Sequence, residues 1–161
     1  MRYAEIKFPD TGNGLGVRVS LWLQGCSHRC KGCFNPETWD PNGGMKYDAI
    51  ANETIQNTLQ YEYVQGASIL GGEPLDQKKE LESLLSWWKF AFPDKDIWLW
   101  TGYLWEDVKD FSVMQYIDVL VDGEFIEEQK DITLNFRGSR NQRVIDVQKS
   151  VKNGEVVLWE E

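Results

Sequence analysis

Four short apolar runs, each cut off by a polar, mostly glycine-bearing stretch, constrain this chain more than any other feature. From Leu15 to Leu23, Val17, Val19, Leu21 and Leu23 alternate with Arg18, Ser20 and Trp22. A period of two over that length predicts a strand. Gly66–Leu70, Ile97–Trp100 and Ile117–Val121 read as three more. Helical stretches fall between them. Residues 47–62 carry Asp48 as a candidate cap. Asp76 can cap a second helix, whose Leu81, Leu84, Leu85 and Trp88 follow i, i+3, i+4, i+7. Leu104, Val108 and Phe111 fit a third helix face. Residues 3–8 suit a short strand, Pro9 to Gly14 a turn, and Arg143 to Val147 a last strand. Asn153-Gly154 reads as a tight hairpin. Strand–helix alternation without repeat or linker is the α/β signature, and 161 residues suit one domain, 1–161. In parallel sheets and barrels, sites lie at the C-terminal ends of strands. If these strands are parallel in one sheet, four stretches should share a rim: the one after Leu23, Gly71-Gly72-Glu73-Pro74, Thr101-Gly102-Tyr103 and Asp122-Gly123.

The stretch after Leu23 holds all three cysteines, Cys26, Cys30 and Cys33, in the pattern C-x3-C-x2-C. Thiolates favour iron–sulfur clusters, zinc or copper(I). Three is one fewer than a closed tetrahedral site needs. Two readings follow: a four-iron cluster with one iron lacking a protein ligand, or a non-catalytic, zinc-stabilised interaction module with His28 completing a Cys3His set. Three thiols cannot all pair internally, which argues against a disulfide framework. His28 is the only histidine, so a His pair is excluded. The formal charge of −9 opposes nonspecific nucleic-acid binding, which needs cations to displace counterions. No apolar run reaches membrane-spanning length and no basic-then-apolar leader opens the chain, so a reducing cytoplasm is expected.

C-x3-C-x2-C at the end of a strand resembles the cluster motif of the radical S-adenosylmethionine superfamily. Gly71-Gly72-Glu73-Pro74, about 40 residues on, resembles its second motif. Within that superfamily, Gly25 to Trp39 is similar to the cysteine loop of the activating proteins of anaerobic ribonucleoside-triphosphate reductases. Thr101-Gly102-Tyr103, Asp118 to Phe125, Phe136-Arg137-Gly138-Ser139 and Asn141-Gln142-Arg143 share the likeness. The resemblance implies an incomplete (β/α) barrel of mostly parallel strands, and a [4Fe–4S] cluster on Cys26, Cys30 and Cys33 with S-adenosylmethionine on the fourth iron. It implies reductive cleavage to methionine and a 5′-deoxyadenosyl radical, which takes a hydrogen atom from a glycine Cα of the reductase large subunit. The electron donor would be a reduced flavodoxin-like protein. Another glycyl-radical enzyme, of the formate-lyase type, is the alternative target. No further cysteines exist for auxiliary clusters.

On this reading Gly71 and Gly72 let backbone approach the methionine moiety, because neither has a Cβ. Glu73 or nearby backbone accepts from its ammonium, and Pro74 stiffens the turn. The stretch Gly32, Cys33 and Phe34 contacts adenine. The wider superfamily often has an aromatic before the third cysteine; here Gly32 stands there and Phe34 follows. Thr101 reaches the ribose or carboxylate, and Asp122 lines the cavity or holds a cation. Arg137, Arg140 and Arg143 are either in weak ion pairs or docking groups for an acidic partner or a carboxylate. The Trp-rich stretch 87–105 is expected in the core. Glu124, Glu127 and Glu128 are expected on a solvated face, and His28 beside the cluster as a hydrogen bonder.

Overall fold

The computed structural model describes all 161 residues. In chain order they form β1 (Arg2–Asp10), β2 (Val17–Leu23), β3 (Met45–Lys46), α1 (Ala49–Leu59), β4 (Val64–Gly71), α2 (Lys78–Ala91), β5 (Asp96–Trp100), α3 (Trp105–Val108), β6 (Val119–Asp122), β7 (Arg143–Asp146) and α4 (Val147–Asn153). One seven-stranded sheet runs β3-β1-β2-β4-β5-β6-β7. Its middle pairs, β2–β4, β4–β5 and β5–β6, are parallel. The flanking pairs are antiparallel. The parallel strands follow one another in sequence order, with no switch point where the order reverses. All four therefore point their C-terminal ends the same way.

Alternation along β2 sorts its side chains. Val19, Leu21 and Leu23 are buried with Ile55 and Leu59 of α1 and Leu81, Leu85 and Trp88 of α2 in one core cluster. Truncating a core residue such as Trp88 to Ala costs about 3–5 kcal/mol. Arg18, Ser20 and Trp22 take the opposite parity, and with it the opposite face of the pleated sheet. No helix is long and apolar enough to cross a membrane.

Several elements depart from the sequence reading. β1 runs through Pro9 to Asp10 instead of turning there. Its pairing with β2 shifts register between Lys7 and Asp10, and proline is tolerated at such irregularities. Asp48 caps α1 as expected, accepting from the Ala51 N–H at 2.9 Å. Asp76 caps nothing: Gln77 is the N-cap of α2, without a side-chain bond, and the Asp76 carboxylate reaches back to Ser27. Leu104 is half-exposed at the start of α3, while Val108 is buried. Asn153-Gly154 is not a hairpin. Asn153 ends α4 and Gly154, at φ 74°, is its left-handed cap. The helix forms because Asp146 accepts from the Lys149 N–H at 3.0 Å and starts a turn where the pattern suggested strand.

Candidate iron–sulfur site

The parallel core gathers the polar stretches at one rim. The cysteine loop leaves β2 with its base tied by backbone: Gly25 N–H donates to Thr38 O (2.7 Å) and Cys26 N–H to Trp39 O (3.2 Å). The buried Gln24 amide donates to the Glu37 and Asp40 carbonyls, closing the loop's returning arm. The Gly71-Gly72-Glu73-Pro74 stretch is sewn to the same base. Gly72 N–H donates to Leu23 O and Glu73 N–H to Gly25 O, both at 2.8 Å. A Cβ on Gly72 would overlap the Gly25 carbonyl, and one on Gly71 would lie 2.6 Å from Leu23 N. These glycines are required by close approach of two strand ends, a reason independent of any ligand.

In front of this seam lies a cavity of about 510 Å³, within the usual range for small-molecule sites. All three thiols border it, with Gly71, Gly72, Glu73, Thr101, Gly102 and Gly123. Phe34 borders it too, while Gly32, Pro74 and Asp122 do not. Gly32, at φ 72°, is pressed against Glu127, and Pro74 is buried at the start of a short 3-10 helix. Asp122 is a correction to the sequence reading. Its carboxylate is wholly buried and takes the Trp105 N–H (2.8 Å) and the Arg143 guanidinium (3.1 Å at Nε). The cation it holds is therefore Arg143, which also grips Glu106 bidentately. These two carboxylates raise Arg143 above its ordinary value, against its burial.

Glu73 is buried and fully engaged. One carboxylate oxygen accepts from Leu75 N–H (2.9 Å) and Thr101 O–H (2.8 Å), the other from Gly102 N–H (2.7 Å). Thr101 in turn accepts from Tyr103 N–H. The second Glu73 oxygen also faces His28 Nε2 at 3.0 Å, while His28 Nδ1 meets Glu124 at 2.8 Å. The Glu73 carboxylate, opposed by burial and helped by Glu124, pushes His28 up to about 9. Both imidazole nitrogens thus face carboxylates, Nδ1 in a hydrogen bond to Glu124 and Nε2 at 3.0 Å from Glu73 without hydrogen-bond alignment, and no His–Cys set converges to hold a single ion. Glu124 is solvent-facing, as expected of a solvated face, but it also carries this contact.

The donor set fits an iron–sulfur cluster. No three His, Cys, Asp or Glu side chains converge as a single ion requires; the thiols instead border an open cavity. Burial pushes the Cys26 and Cys30 thiols up. Backbone N–H groups of Arg29 and His28 oppose this at Cys26, and that of Phe125 at Cys30. Asn35 N–H donates to Cys33 Sγ at 3.4 Å. Amides directed at sulfur are the means by which a protein tunes such a cluster.

Of the remaining wall, the sequence points to Arg137 as a candidate docking group and to Trp39, Phe125, Phe136 and Gln142 only as members of the stretches that carry the family likeness; Trp22 and Trp100 stand outside them. Trp22, Trp39, Trp100, Phe125 and Phe136 line it with Arg137 and Gln142. The parity of β2 alone could have indicated Trp22. The indole N–H groups of Trp22 and Trp39 are buried without an acceptor in the protein. Of the three arginines, Arg143 is in ion pairs, Arg140 is exposed, and Arg137 stands at the cavity, donating to the Arg140 and Gln142 carbonyls. Trp88, Trp98 and Trp105 are core residues, as expected of that stretch, whereas Trp87 is half-exposed and Trp100 lines the cavity.

A mixed sheet with a parallel middle, presenting three thiols at one strand-end cavity, is an arrangement that suits a single-cluster iron–sulfur domain. Residues 12–145 match the family model described as "4Fe-4S single cluster domain". Among curated proteins, the anaerobic ribonucleoside-triphosphate reductase-activating protein of Enterobacteria phage T4 is 40% identical over 146 residues, 89% of this chain and 93% of that protein. Its namesakes from Haemophilus influenzae and Escherichia coli are 41% and 37% identical, covering 88% and 89% of this chain and 96% and 97% of theirs. The chain belongs to the family of anaerobic ribonucleoside-triphosphate reductase-activating proteins.

Proposed function

We propose that this protein activates an anaerobic (class III) ribonucleoside-triphosphate reductase by generating the glycyl radical of its large subunit. It would do so as a cytoplasmic radical S-adenosylmethionine oxidoreductase, with a [4Fe–4S] cluster on Cys26, Cys30 and Cys33 and a flavodoxin-like electron donor. When bound, the cluster supplies the one-electron chemistry that cleaves S-adenosylmethionine to methionine and the 5′-deoxyadenosyl radical that oxidises a glycine Cα. One observation carries the reading: the cysteine loop and the Gly71–Pro74 stretch are joined backbone to backbone, and both border one cavity.

The chain's own residues then bind and orient. The Glu73 carboxylate is already engaged by the rim, so backbone carbonyls at Gly71 and Gly72 are the acceptors for the cosubstrate's ammonium. Thr101, committed to Glu73, shapes the rim beside it. Phe34 rather than Gly32 offers an aromatic face at the cavity. The indole and phenyl walls keep water from the reacting atoms. On this reading the sheet is an incomplete (β/α) barrel, whose open top admits the backbone of another protein.

Anaerobic reconstitution tests the proposal. Iron and sulfide at about four each per chain, reductive cleavage of S-adenosylmethionine, and a shift in the electron paramagnetic resonance spectrum on adding it are expected. A glycyl radical should then form on the reductase. Stoichiometric zinc without cleavage would overturn the reading, and a radical formed only on a formate-lyase-type enzyme would reassign the partner.

A further inference from the structure

Between β6 and β7 the chain makes a twenty-residue excursion, 123–142, whose only elements are a 3-10 turn at Glu127–Gln129 and a bridge from Lys130 to Ser139. Stretches this long without regular structure usually serve a function. This one is a wall of the cavity, through Phe125, Ile132, Leu134, Phe136 and Arg137. At its far end it is pinned by Trp100, whose indole N–H donates to Phe136 O at 2.7 Å. Its near end rests on the cysteine loop. Phe125 packs on Phe34 with ring centroids 5.0 Å apart, and Lys31 faces Glu127 and Glu128 at 3.4 and 3.7 Å. Lys31 is 81% exposed, and such pairs contribute little. The less exposed member of the contact is His28, with a side chain 11% exposed. Its ring lies against Gly102, where a Cβ would come within 2.7 Å, and edge-on to Tyr103 at 4.5 Å. It joins Glu73 on one side to Glu124 on the other.

We propose that His28 is a positioning residue that couples the cysteine loop to the 123–142 wall, so that the mouth of the cavity is set from the cluster loop itself. Glu73 anchors the imidazole to the β4 and β5 rim, and Glu124 carries that anchorage across to the wall. The coupling stands on this geometry alone; its consequence for cosubstrate binding rests on the function proposed above.

Amide hydrogen exchange on the full chain, before and after anaerobic reconstitution, reads the coupling directly. Glu124→Gln alters a solvent-facing group and keeps the fold; His28→Gln is its counterpart. Each is expected to speed exchange in both segments, 26–33 and 124–130, by about tenfold, the scale of one partly buried charge-assisted hydrogen bond. The double variant should add nothing to either single one. Effects confined to the mutated segment, or effects that multiply, would overturn the coupling. In the reconstituted protein, Glu124→Gln should raise KM for S-adenosylmethionine about tenfold at unchanged iron content, since it loosens the wall and leaves the thiols intact. An unchanged KM would refute control of the mouth. Failure of the wild-type chain to assemble a cluster would sink the proposed function and leave the exchange result standing.

Discussion

Two buried charge networks sit at opposite ends of the same parallel strands. At the N-terminal end, Arg18 is fully buried. Its donors reach Ser68 Oγ (2.7 Å), Leu15 O (3.0 Å), Ala67 O (2.9 Å) and the Asp96 carboxylate (2.6 Å). Its guanidinium carbon lies 5.4 Å from the Trp98 ring. Nearby, Asp10 accepts from Ser20, Asn13 and the Gly12 amide. At the C-terminal end, Glu73 accepts three hydrogen bonds and His28 lies between two carboxylates, but the three thiols beside them border open space. A buried charge is tolerated only when partners replace water; in both networks ion-pair contacts do part of this, since Asp96 Oδ1 and His28 Nε2 face Arg18 and Glu73 without hydrogen-bond alignment. They differ in what is left over. In the Arg18 network each guanidinium nitrogen has a protein partner, and the network acts as scaffold. The rim network immobilises the loops around groups that the protein itself does not satisfy, and those groups are where a ligand belongs.

Breaking each end should separate chemistry from stability. Cys30→Ala has the largest expected effect: reductive cleavage of S-adenosylmethionine falls to background, while the urea midpoint of the cluster-free chain barely moves. Retained turnover would refute the cluster assignment. Arg18→Met should do the reverse. Leaving Asp96 without its cation costs about 3 kcal/mol in urea unfolding, and whatever folded protein remains should still bind iron. Gly72→Ala touches both properties, because its methyl group would displace the Gly25 carbonyl. A stability loss of about 1–3 kcal/mol is expected, with a rise in KM for S-adenosylmethionine larger than the fall in kcat. The smallest effect is in acid. Burial pushes Asp10 up, but bonds from Ser20, Asn13 and Gly12 outweigh it and hold the carboxyl below its ordinary value. A depressed pKa stabilises the fold above the unfolded value of about 3.9, and that stability is lost as pH falls toward the folded value. Asp10→Asn should therefore flatten the dependence of the urea midpoint on pH below about 5. An acid limb unchanged in this variant would show that Asp10 is not part of the closed network.

Strands with a strong period or a dense apolar run were readable in the chain, since burial on one or both faces writes a pattern that needs no partner to be seen. The punctuation after each strand pointed to a common rim on the condition of parallel strands, and the sheet meets that condition from β2 to β6. Asp76 and Asn153-Gly154 were misread for one reason. An Asp or an Asn-Gly has several local uses, and contacts distant in sequence choose among them. Ser27 claims Asp76 across 49 residues, and Asp146 caps a helix that ends at the supposed hairpin. Glu73 and Asp122 illustrate the same limit at the site. Each looked available as an acidic residue at a strand end, and each is buried under partners supplied by other strands.

Sequence alone determined the α/β class, the loop that carries all three thiols and the Gly71–Pro74 stretch as a second motif at a strand end. All three are written in local spacing, and spacing is a property of the chain. Tertiary structure decided which polar groups remain free. It committed Glu73, Thr101, Asp122 and Arg143 to one another, built the cavity wall from residues scattered between Trp22 and Gln142, and placed His28 between two carboxylates. Those outcomes depend on hydrogen bonds between segments up to 96 residues apart, which no local pattern encodes.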